Sequence, residues 1–311
     1  MEVISGTKEF KLNNTAVTLG KFDGMHKGHM SLLREVIKSK EDGLTPVLFT
    51  FDTSPYEVVD GRKMKYILDC GEKYDICRNE GIEVVIEYPF DKDTMRMDAD
   101  EFVSKVILEK LGAKKIVVGR DFNFGRDRKG NTEMLSEMSD KYELLVKEKI
   151  LFDNKEISST IIRKYIQDGE IEKANRMLGR MFSITGIIIC GRKIGRTLGF
   201  PTINLKVSDE KILPRFGVYA SIAEIDNKIY KGITNIGFNP TVSSEDSIKA
   251  ETHLLDCNED LYGRKAEIKL FKYIRDEKKF NGLDELKNQI KDDIRFTESL
   301  DTFKYCDIIC S

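Results

Sequence analysis

The sequence predicts two domains: a parallel α/β domain over residues 1–179, and an antiparallel β domain, barrel or sandwich, that ends in a helix over residues 180–311. Three observations support this prediction. In the first 150 residues, short apolar runs alternate with helical patterns, which is typical of a parallel sheet covered by helices. Around residues 157–179, two short helical stretches replace that alternation. Beyond residue 180, apolar residues recur with period two, as in half-buried antiparallel strands.

Four apolar runs in the first domain predict buried strands. They cover residues 16–19, 47–51, 84–86 and 116–118. Between them, apolar residues keep the spacing of helices that cover a sheet. They are Leu32, Leu33, Val36 and Ile37 in one helix, and Phe102, Val103, Val106 and Ile107 in another. Asp98, with Glu101 three residues later, predicts a capping box at the start of the second helix.

The second domain begins near Arg180, after two helical stretches that Gly169 and Gly179 interrupt. Period-two alternation then predicts strands, each bounded by Gly, Asn or Asp. The alternating residues are Val218, Ala220 and Ile222 in one run, and Ala266, Ile268 and Leu270 in another. A terminal helix presents Leu283, Leu286, Ile290 and Ile294 on one face, which we expect to pack against the strands.

The charge balance excludes several classes of protein. Fifty-one Lys and Arg residues face fifty-three Asp and Glu residues among 311, so the formal charge is −2. We therefore expect no nucleic acid and no membrane surface as partner. No apolar run reaches the roughly 18 residues of a membrane-spanning helix, and residues 1–11 carry charges, so we expect a cytoplasmic protein. The six cysteines include no C-x-x-C pair, and we expect free thiols.

The segment Gly20–His29 follows the first predicted strand and opens the first helix, which is where parallel α/β sheets bind ligands. Glycines there let the backbone approach a phosphate, and a helix N-terminus supplies free N–H groups and partial positive charge. His26 and His29 can point at the same anion and donate hydrogen bonds to charge that develops on a phosphorus atom. The alternatives are a metal site and a purely structural turn.

Two further segments carry groups that suit phosphates. Ser158, Ser159 and Thr160 offer hydroxyls and N–H donors at a helix start, and Arg163 adds a fixed charge; the alternative is an ordinary N-cap. In the second domain, the segment from Gly191 to Asn204 is rich in glycine and basic residues before a strand. Gly191, Gly195 and Gly199 free the backbone to wrap an anion that Arg192, Lys193 and Arg196 neutralise; the alternative is a surface hairpin.

Glu251 and His253 lie on one face of a later strand because side chains alternate along it. A carboxylate beside a phosphate-binding loop can accept the proton of an attacking alcohol. The alternative is a solvated strand residue. We expect His253 to be a structural hydrogen-bonding residue.

These motifs together resemble the bacterial bifunctional riboflavin kinase/FMN adenylyltransferases, also called FAD synthetases. Residues 20–29 read G-K-F-D-G-M-H-K-G-H, similar to the G-x-F-D-G-x-H-x-G-H signature of the H-x-G-H nucleotidylyltransferases. In family order follow V-G-R-D-F-N-F-G at 118–125 with Gly130, I-S-S-T-I-I-R at 157–163, G-F-P-T-I-N at 199–204, E-T-H-L-L-D at 251–256, and Y-I-R-D-E at 273–277 before Phe280. The resemblance spans roughly residues 15 to 300.

The resemblance implies a Rossmann-like parallel sheet of the nucleotidylyltransferase type, which makes FAD from FMN and ATP with release of pyrophosphate. A C-terminal antiparallel β-barrel with a terminal helix would phosphorylate riboflavin to FMN. Riboflavin, FMN and ATP are then the substrates, with Mg²⁺ beside the ATP; the oligomeric state is not predicted.

The resemblance also assigns residues to each site. In the first domain, the ATP-binding residues are Gly20, Phe22, Asp23, Gly24, His26, His29, Ser158, Ser159, Thr160 and Arg163, of which His26 and His29 are catalytic, and Asp121, Phe122 and Phe124 lie on the FMN side. In the second domain, Glu251 is the catalytic base, Gly191, Arg192, Lys193, Gly195, Arg196 and Thr202 bind ATP, Thr202 and Asn204 hold the metal, and Asn204, Arg275 and Glu277 bind flavin.

One segment departs from the family pattern. The family has T-F-D/E-P-H-P-x-E after the second strand, whereas residues 50–57 read T-F-D-T-S-P-Y-E, with Thr53 and Ser54 in place of Pro and His. That loop borders FMN in the family, so one alternative function is riboflavin kinase alone, with an impaired first domain. A flavin-binding RNA regulator is a second alternative, which the lack of a basic stripe disfavours.

Overall fold

A computed structural model describes residues 1–54, 57–58, 61, 63–190, 199–238, 248–257 and 259–301. It divides into two compact units, residues 1–158 and 159–311. No helix among the described residues is long and apolar enough to span a membrane. Of the cysteines within these ranges, Cys77 and Cys257 are free thiols.

The first unit is built on a six-stranded parallel sheet, as predicted. Its strands are β1 (Glu2–Ser5), β2 (Thr15–Leu19), β3 (Thr45–Phe51), β4 (Val84–Tyr88), β5 (Ala113–Gly119) and β6 (Glu143–Lys147). Their order in the sheet is β1-β4-β3-β2-β5-β6, and every neighbouring pair is parallel. A short hairpin of β7 (Leu151–Phe152) and β8 (Lys155–Glu156) follows.

Helices cover both faces of this sheet because successive strand residues point to opposite sides. They are α1 (Lys27–Lys38), α2 (Cys70–Glu80), α3 (Lys92–Arg96), α4 (Ala99–Glu101, continued as a π-helix over Phe102–Lys110) and α5 (Thr132–Glu137). Leu33 and Val36 of α1 pack with Ala16 and Leu48 on one face, and Phe102 of α4 packs on the other. Each face therefore carries its own apolar core.

The capping box predicted at Asp98 is wrong. Asp98 makes no side-chain capping bond, and Glu101 pairs instead with Lys105, one turn further along its own helix. The capping box of this unit lies at the start of α2, where Asp69 and Glu72 bond each other's backbone N–H groups.

The second unit opens with two helices, α6 (Ser159–Gln167) and α7 (Ile171–Leu178), which end near Gly169 and Gly179 in left-handed conformations. The sequence places the domain boundary after residue 179, whereas contacts place it between Ser158 and Ser159. Asn175, a fully buried residue of α7, explains the difference. Its side chain donates to the carbonyl of Leu270 and accepts from the N–H of Phe182, and these bonds fix α7 to the strands that follow.

Those strands close into a six-stranded antiparallel barrel. They are β9 (Phe182–Ile189), β10 (Thr202–Lys206), β11 (Gly217–Ile225), β12 (Lys228–Phe238), β13 (Ile248–Leu254) and β14 (Lys265–Arg275), in the cyclic order β10-β13-β12-β11-β14-β9. Of the two architectures that the period-two pattern allowed, the barrel is the observed one. Ala266, Ile268 and Leu270 are fully buried, as their alternation predicts.

Three hydrogen-bonded hydroxyl groups line the inside of the barrel wall on adjacent strands. Thr234 Oγ1 lies 2.7 Å from Ser221 Oγ and 2.8 Å from Thr252 Oγ1, and all three residues are fully buried. The three residues belong to the neighbouring strands β11, β12 and β13. Residues next to them in sequence, including Asn235 and Glu251, therefore face outward.

The terminal helix α8 (Leu283–Ser299) belongs to the second unit, and Leu286, Ile290 and Ile294 of its predicted packing face are half-buried. Leu283 is 62% exposed, whereas Asp293 and Thr297 are the buried residues. Asp293 is buried because it pairs with Arg275, which ends β14, with 2.7 Å between Oδ2 and Nη2. Lys231 of β12 donates to the carbonyl of Leu300 beyond the helix C-terminus, where a cation is favoured.

Candidate active sites

The glycine- and histidine-rich segment lies where the strand order of the first sheet reverses. The chain proceeds from β2 to β3 and β4 on one side, and then to β5 and β6 on the other side of β2. A crevice opens at such a reversal, at the carboxyl ends of the strands, and parallel α/β proteins bind ligands there. The segment follows β2, so the fold places it at this crevice.

The backbone of this segment is held by buried side chains. Phe22 and Met25 adopt positive φ angles of 49° and 39°, and both are fully buried. Asp23 is also buried, and its Oδ1 accepts the N–H of Ile67 at 2.8 Å. A Cβ on Gly24, which has a φ of +83°, would lie 2.9 Å from Ile67. The turn therefore presents a fixed backbone to the crevice.

His26 and His29 form one unit at the start of α1. His26 is the N-cap, and its Nδ1 accepts the N–H of His29 at 3.3 Å. The two rings stack with centroids 3.7 Å apart, and the ring of Phe22 lies 5.0 Å from that of His29. Since Nδ1 of His26 accepts a hydrogen bond, a neutral His26 carries its proton on Nε2, where it can donate to an anion.

Gly28 leaves room for the His26 ring, and it is not among the predicted site residues. A Cβ at this position would lie 3.1 Å from both Cε1 and Nδ1 of the His26 ring. The signal in the sequence is the glycine between the two predicted histidines.

The segment after β5 lies at the same edge of the sheet as the histidine turn. Asp121, at 69% side-chain exposure, pairs with Lys149 at 3.3 Å. Phe122 stacks on Phe124, with centroids 5.5 Å apart, and is packed against the core. Phe124 is buried against Phe102 and bonds the backbone of Gly130 in both directions. Of the three residues predicted on the FMN side, Asp121 is exposed and Phe124 is part of the core.

The two residues that depart from the family pattern lie in the segment after β3. Ser54 is buried, and its hydroxyl contacts Met64 Sδ at 3.1 Å while its carbonyl accepts the N–H of Glu57. Nearby, burial and the Glu57 carboxylate raise the pKa of Tyr66 to about 12, so Tyr66 stays protonated. Ser54 thus connects the two ends of this segment.

Ser158, Ser159, Thr160 and Arg163 lie at the start of α6, as predicted. Ser158 is the last residue of the first unit, and the other three belong to the second unit. Thr160 is exposed, and the other three side chains are half-buried. Ile162 and Ile166 are the buried residues of this helix. The role of the three hydroxyl residues and of Arg163 toward ATP stays a prediction.

On the outer face of the barrel, three polar residues form a row across neighbouring strands. Glu251 of β13 lies directly opposite Asn204 of β10 on one side, and directly opposite Asn235 of β12 on the other. Thr202 of β10 donates its hydroxyl to Glu251 Oε1 at 2.7 Å. The structure therefore brings together three predicted residues, Thr202, Asn204 and Glu251, and adds Asn235.

His253 has a structural partner. Its Nδ1 lies 2.9 Å from the carbonyl oxygen of Pro201, so that nitrogen carries a proton and donates it. The ring of Phe200 meets the His253 ring edge-on at 5.5 Å. His253 thus fixes the turn that leads into Thr202, as expected for a structural hydrogen-bonding residue.

The remaining ATP-binding residues predicted for the barrel, Gly191, Arg192, Lys193, Gly195 and Arg196, lie outside the described residues. Gly199, which ends that segment, has a φ of +86°. This is a conformation that glycine adopts without strain.

The row of polar residues suits Mg²⁺. Within the described ranges, no group of three His, Cys, Asp or Glu side chains could hold a metal ion. However, Mg²⁺ beside a nucleotide takes one or two protein oxygens and fills its remaining positions with phosphate and water. Thr202, Asn204 and Glu251 supply hydroxyl, amide and carboxylate oxygens on one face. These donors fit the ion.

Three consecutive residues at the end of β14 and just after it make side-chain hydrogen bonds to other elements. Nε and Nη2 of Arg275 donate to both carboxylate oxygens of Asp293 at 2.7–3.1 Å. Asp276 accepts from Arg215 and from Tyr273, and the Tyr273 bond lowers the pKa of Asp276. Glu277 Oε1 accepts from Asn235 Nδ2 at 3.2 Å. Glu277 thus reaches the polar row, whereas the guanidinium of Arg275 is bonded to α8.

Two family models match the chain. The model described as FAD synthetase matches residues 8–161, and the model described as riboflavin kinase matches residues 178–300.

Individual proteins match over nearly the full length. A bifunctional riboflavin kinase/FMN adenylyltransferase of Buchnera aphidicola is 37% identical over 308 residues, which cover 96% of this chain and 98% of that protein. The protein of the same description from Bacillus subtilis is 35% identical and covers 90% of each chain. A crystal structure from Streptococcus pneumoniae, described as a macrolide-efflux protein, superimposes with a TM-score of 0.87 at 32% identity and covers 96% of this chain and 99% of that one.

Proposed function

The chain belongs to the family of bifunctional riboflavin kinase/FMN adenylyltransferases, and from this we propose how its residues divide the two reactions. The enzyme phosphorylates riboflavin to FMN and adenylylates FMN to FAD. We assign FAD synthesis to residues 1–179 and riboflavin phosphorylation to residues 180–311, the division predicted from the sequence. Residues 159–179 would then serve FAD synthesis although they pack with the second unit. The predicted cytoplasmic location also stays a proposal.

In FAD synthesis, a phosphate oxygen of FMN attacks the α-phosphorus of ATP, and pyrophosphate leaves. His26 and His29 donate hydrogen bonds to the charge that develops on that phosphorus, with His26 acting through Nε2. The fixed backbone at Gly20, Phe22 and Gly24 receives the phosphates at the N-terminus of α1. Ser158, Ser159, Thr160 and Arg163 are the remaining residues that we assign to the triphosphate.

In riboflavin phosphorylation, Glu251 takes the proton of the riboflavin 5′-hydroxyl while the hydroxyl oxygen attacks the γ-phosphorus of ATP, and ADP leaves. Thr202 bonds Glu251 Oε1, and we assign Oε2 to accept the proton. Thr202 and Asn204 would hold Mg²⁺, which screens the charge of the phosphates. The protein contributes mainly positioning and charge stabilisation, since such transfers require little covalent chemistry from it.

The observation that carries this proposal is the bond between Thr202 and Glu251. These two residues are 49 positions apart in the chain and are predicted from different motifs, yet they meet on one face of the barrel. A solvated strand carboxylate, the alternative interpretation of Glu251, would not explain that placement beside Asn204.

A time course tests the proposal. The purified enzyme, supplied with riboflavin, ATP and Mg²⁺, should yield FMN first and FAD later. Chromatography measures both products with time. A second incubation with FMN and ATP isolates the first unit, which contains the departure at Thr53 and Ser54. If FMN forms from riboflavin but FAD forms in neither incubation, riboflavin kinase is the only activity.

A further inference from the structure

The carboxylate of Glu277 rests on strand β12, at two residues that neither motif contains. Asn235 donates to its Oε1 at 3.2 Å, and Gly237 lies directly beneath it. Asn235 and Gly237 are two positions apart, so they face the same side of the strand. We call these two residues the β12 seat.

Gly237 provides the space for the carboxylate. A Cβ built there would overlap Oε1 of Glu277 and lie 2.7 Å from its Cδ, which is closer than such atoms approach in proteins. The φ of Gly237 is not positive, so alanine meets no backbone strain there. The overlapping atoms are the end of a flexible side chain. An alanine would therefore displace Glu277 at little cost in folding.

Asn235 provides the donor. Its other amide atom, Oδ1, is shielded from solvent and has no hydrogen-bond partner among the residues that the structure describes. A buried acceptor without a partner destabilises the folded state. A residue selected for stability alone would avoid that cost, and such groups in native structures call for an explanation. The bond to Glu277 supplies one.

The seat also lies beside the catalytic base. Asn235 is directly opposite Glu251 in the strand register, and the two strands lie about 4.8 Å apart. The seat therefore holds the Glu277 carboxylate on the same outer face that carries Thr202, Asn204 and Glu251.

From these contacts we propose that Asn235 and Gly237 are positioning residues for riboflavin, which act by holding Glu277 in place. The inference rests on the proposed function, to which we add that Glu277 is on the flavin side of the kinase site, as the family resemblance predicts. It adds that the orientation of Glu277 is set by β12 and not by its own loop alone.

Kinase kinetics with three single variants test this inference. Glu277→Ala removes the carboxylate, Asn235→Leu removes the donor at similar size, and Gly237→Ala displaces the carboxylate. Each should raise KM for riboflavin about tenfold, as expected for loss of a charge-assisted bond, and leave KM for ATP unchanged. Ile229→Ala, at a 72% exposed position of the same strand, is the matched control.

Stability separates positioning from a structural role. Asn235→Leu removes a buried acceptor that has no partner, so its melting temperature should equal or exceed that of the wild type while KM rises. A lower melting temperature with unchanged KM for riboflavin would overturn the inference, as would unchanged KM in Gly237→Ala.

A double variant tests whether Asn235 acts through Glu277. In the Glu277→Ala background, Asn235→Leu should add less than twofold to KM, because the group that it positions is gone. A further tenfold rise would show an independent role and overturn the inference. If Glu277→Ala alone leaves KM for riboflavin unchanged, the flavin role of Glu277 in the proposed function fails, and the inference fails with it.

Discussion

At the scale of single residues, Gly28 controls the geometry of the histidine pair without contributing a side chain. Gly28→Ala should improve the helix propensity of α1, since alanine is favoured over glycine by about 1 kcal/mol. Its Cβ would also push the His26 ring away from His29. We expect FAD synthesis to fall at least tenfold, while riboflavin phosphorylation and the melting temperature are maintained. Unchanged FAD synthesis in this variant would mean that the stacking is dispensable.

Glu251 can be tested by a change that keeps its shape. Glu251→Gln retains an oxygen for the Thr202 hydroxyl but cannot take up the proton of the attacking alcohol. Loss of a general base typically costs about 100- to 10,000-fold in rate, which is the decrease that we expect in FMN production. FAD production from supplied FMN should stay normal. Chromatography of both products measures this, and Glu267→Gln, on another strand of the barrel, is the control.

Residues that carry chemistry were easier to predict than residues that make room for them. His26, Glu251 and Thr202 belong to motifs whose residue types indicate phosphoryl chemistry. Gly237 and Asn235 gave no such signal, because their roles depend on which strand lies beside them in the barrel. Phe124 shows the reverse case: its motif suggested a ligand contact, and the structure buries it against Phe102.

At the scale of elements, the attachment of α8 to the barrel depends on a polar pair. Asp293 is only 3% exposed and pairs with Arg275, whose side chain is 22% exposed. Asp293→Asn should lower the stability of the second unit by up to about 3 kcal/mol, because it leaves a largely buried charge without its counter-charge. KM for riboflavin should rise as well, since Arg275 begins the segment that carries Glu277.

Asp292→Asn is the control for this prediction. Asp292 lies on the exposed side of the same helix and pairs with Arg295 at 3.4 Å, with both side chains largely in solvent. Exposed pairs contribute about 0–1 kcal/mol. Calorimetry should therefore resolve a loss in Asp293→Asn only. Equal losses in the two variants would show that the charge of the helix matters and the specific pair does not.

Element types could be predicted where apolar residues repeat regularly, and the burial of polar residues could not. The regular spacing of apolar residues predicted the helix α8. It also placed Leu283 on the packed face, and it gave no reason to expect that Asp293 is buried. The partner that offsets the burial of Asp293 is Arg275, at the end of a different strand. Likewise, Asp98 and Glu101 have the spacing of a capping box, yet Lys105 competes successfully for Glu101.

At the scale of the whole molecule, the two activities should fail separately. His29→Ala removes a donor to the developing charge in the first unit, which typically costs about 100- to 1,000-fold in rate. We expect FAD synthesis to fall by that amount and FMN synthesis to be unchanged, as judged by product formation from FMN and from riboflavin. Equal loss of both activities would contradict the division between the units.

The order of the two units could be predicted because the two apolar patterns occupy different parts of the chain. Strands alternate with helices in the first 150 residues, and period-two alternation occurs beyond residue 180. The position of the boundary could not be predicted, since α6 and α7 look alike whether they end one unit or begin the next. The bonds of Asn175 to Leu270 and Phe182 show where α7 is attached.

The hydroxyl chain inside the barrel has a consequence for turnover. Ser221, Thr234 and Thr252 join three strands through two links of 2.7 and 2.8 Å, in an interior where no solvent could replace a stretched link. Lateral widening of these strands is therefore costly. We therefore expect the spacing between Glu251 and Asn235 on the outside to stay the same while substrates arrive and products depart, so that the enzyme need not realign them in each cycle.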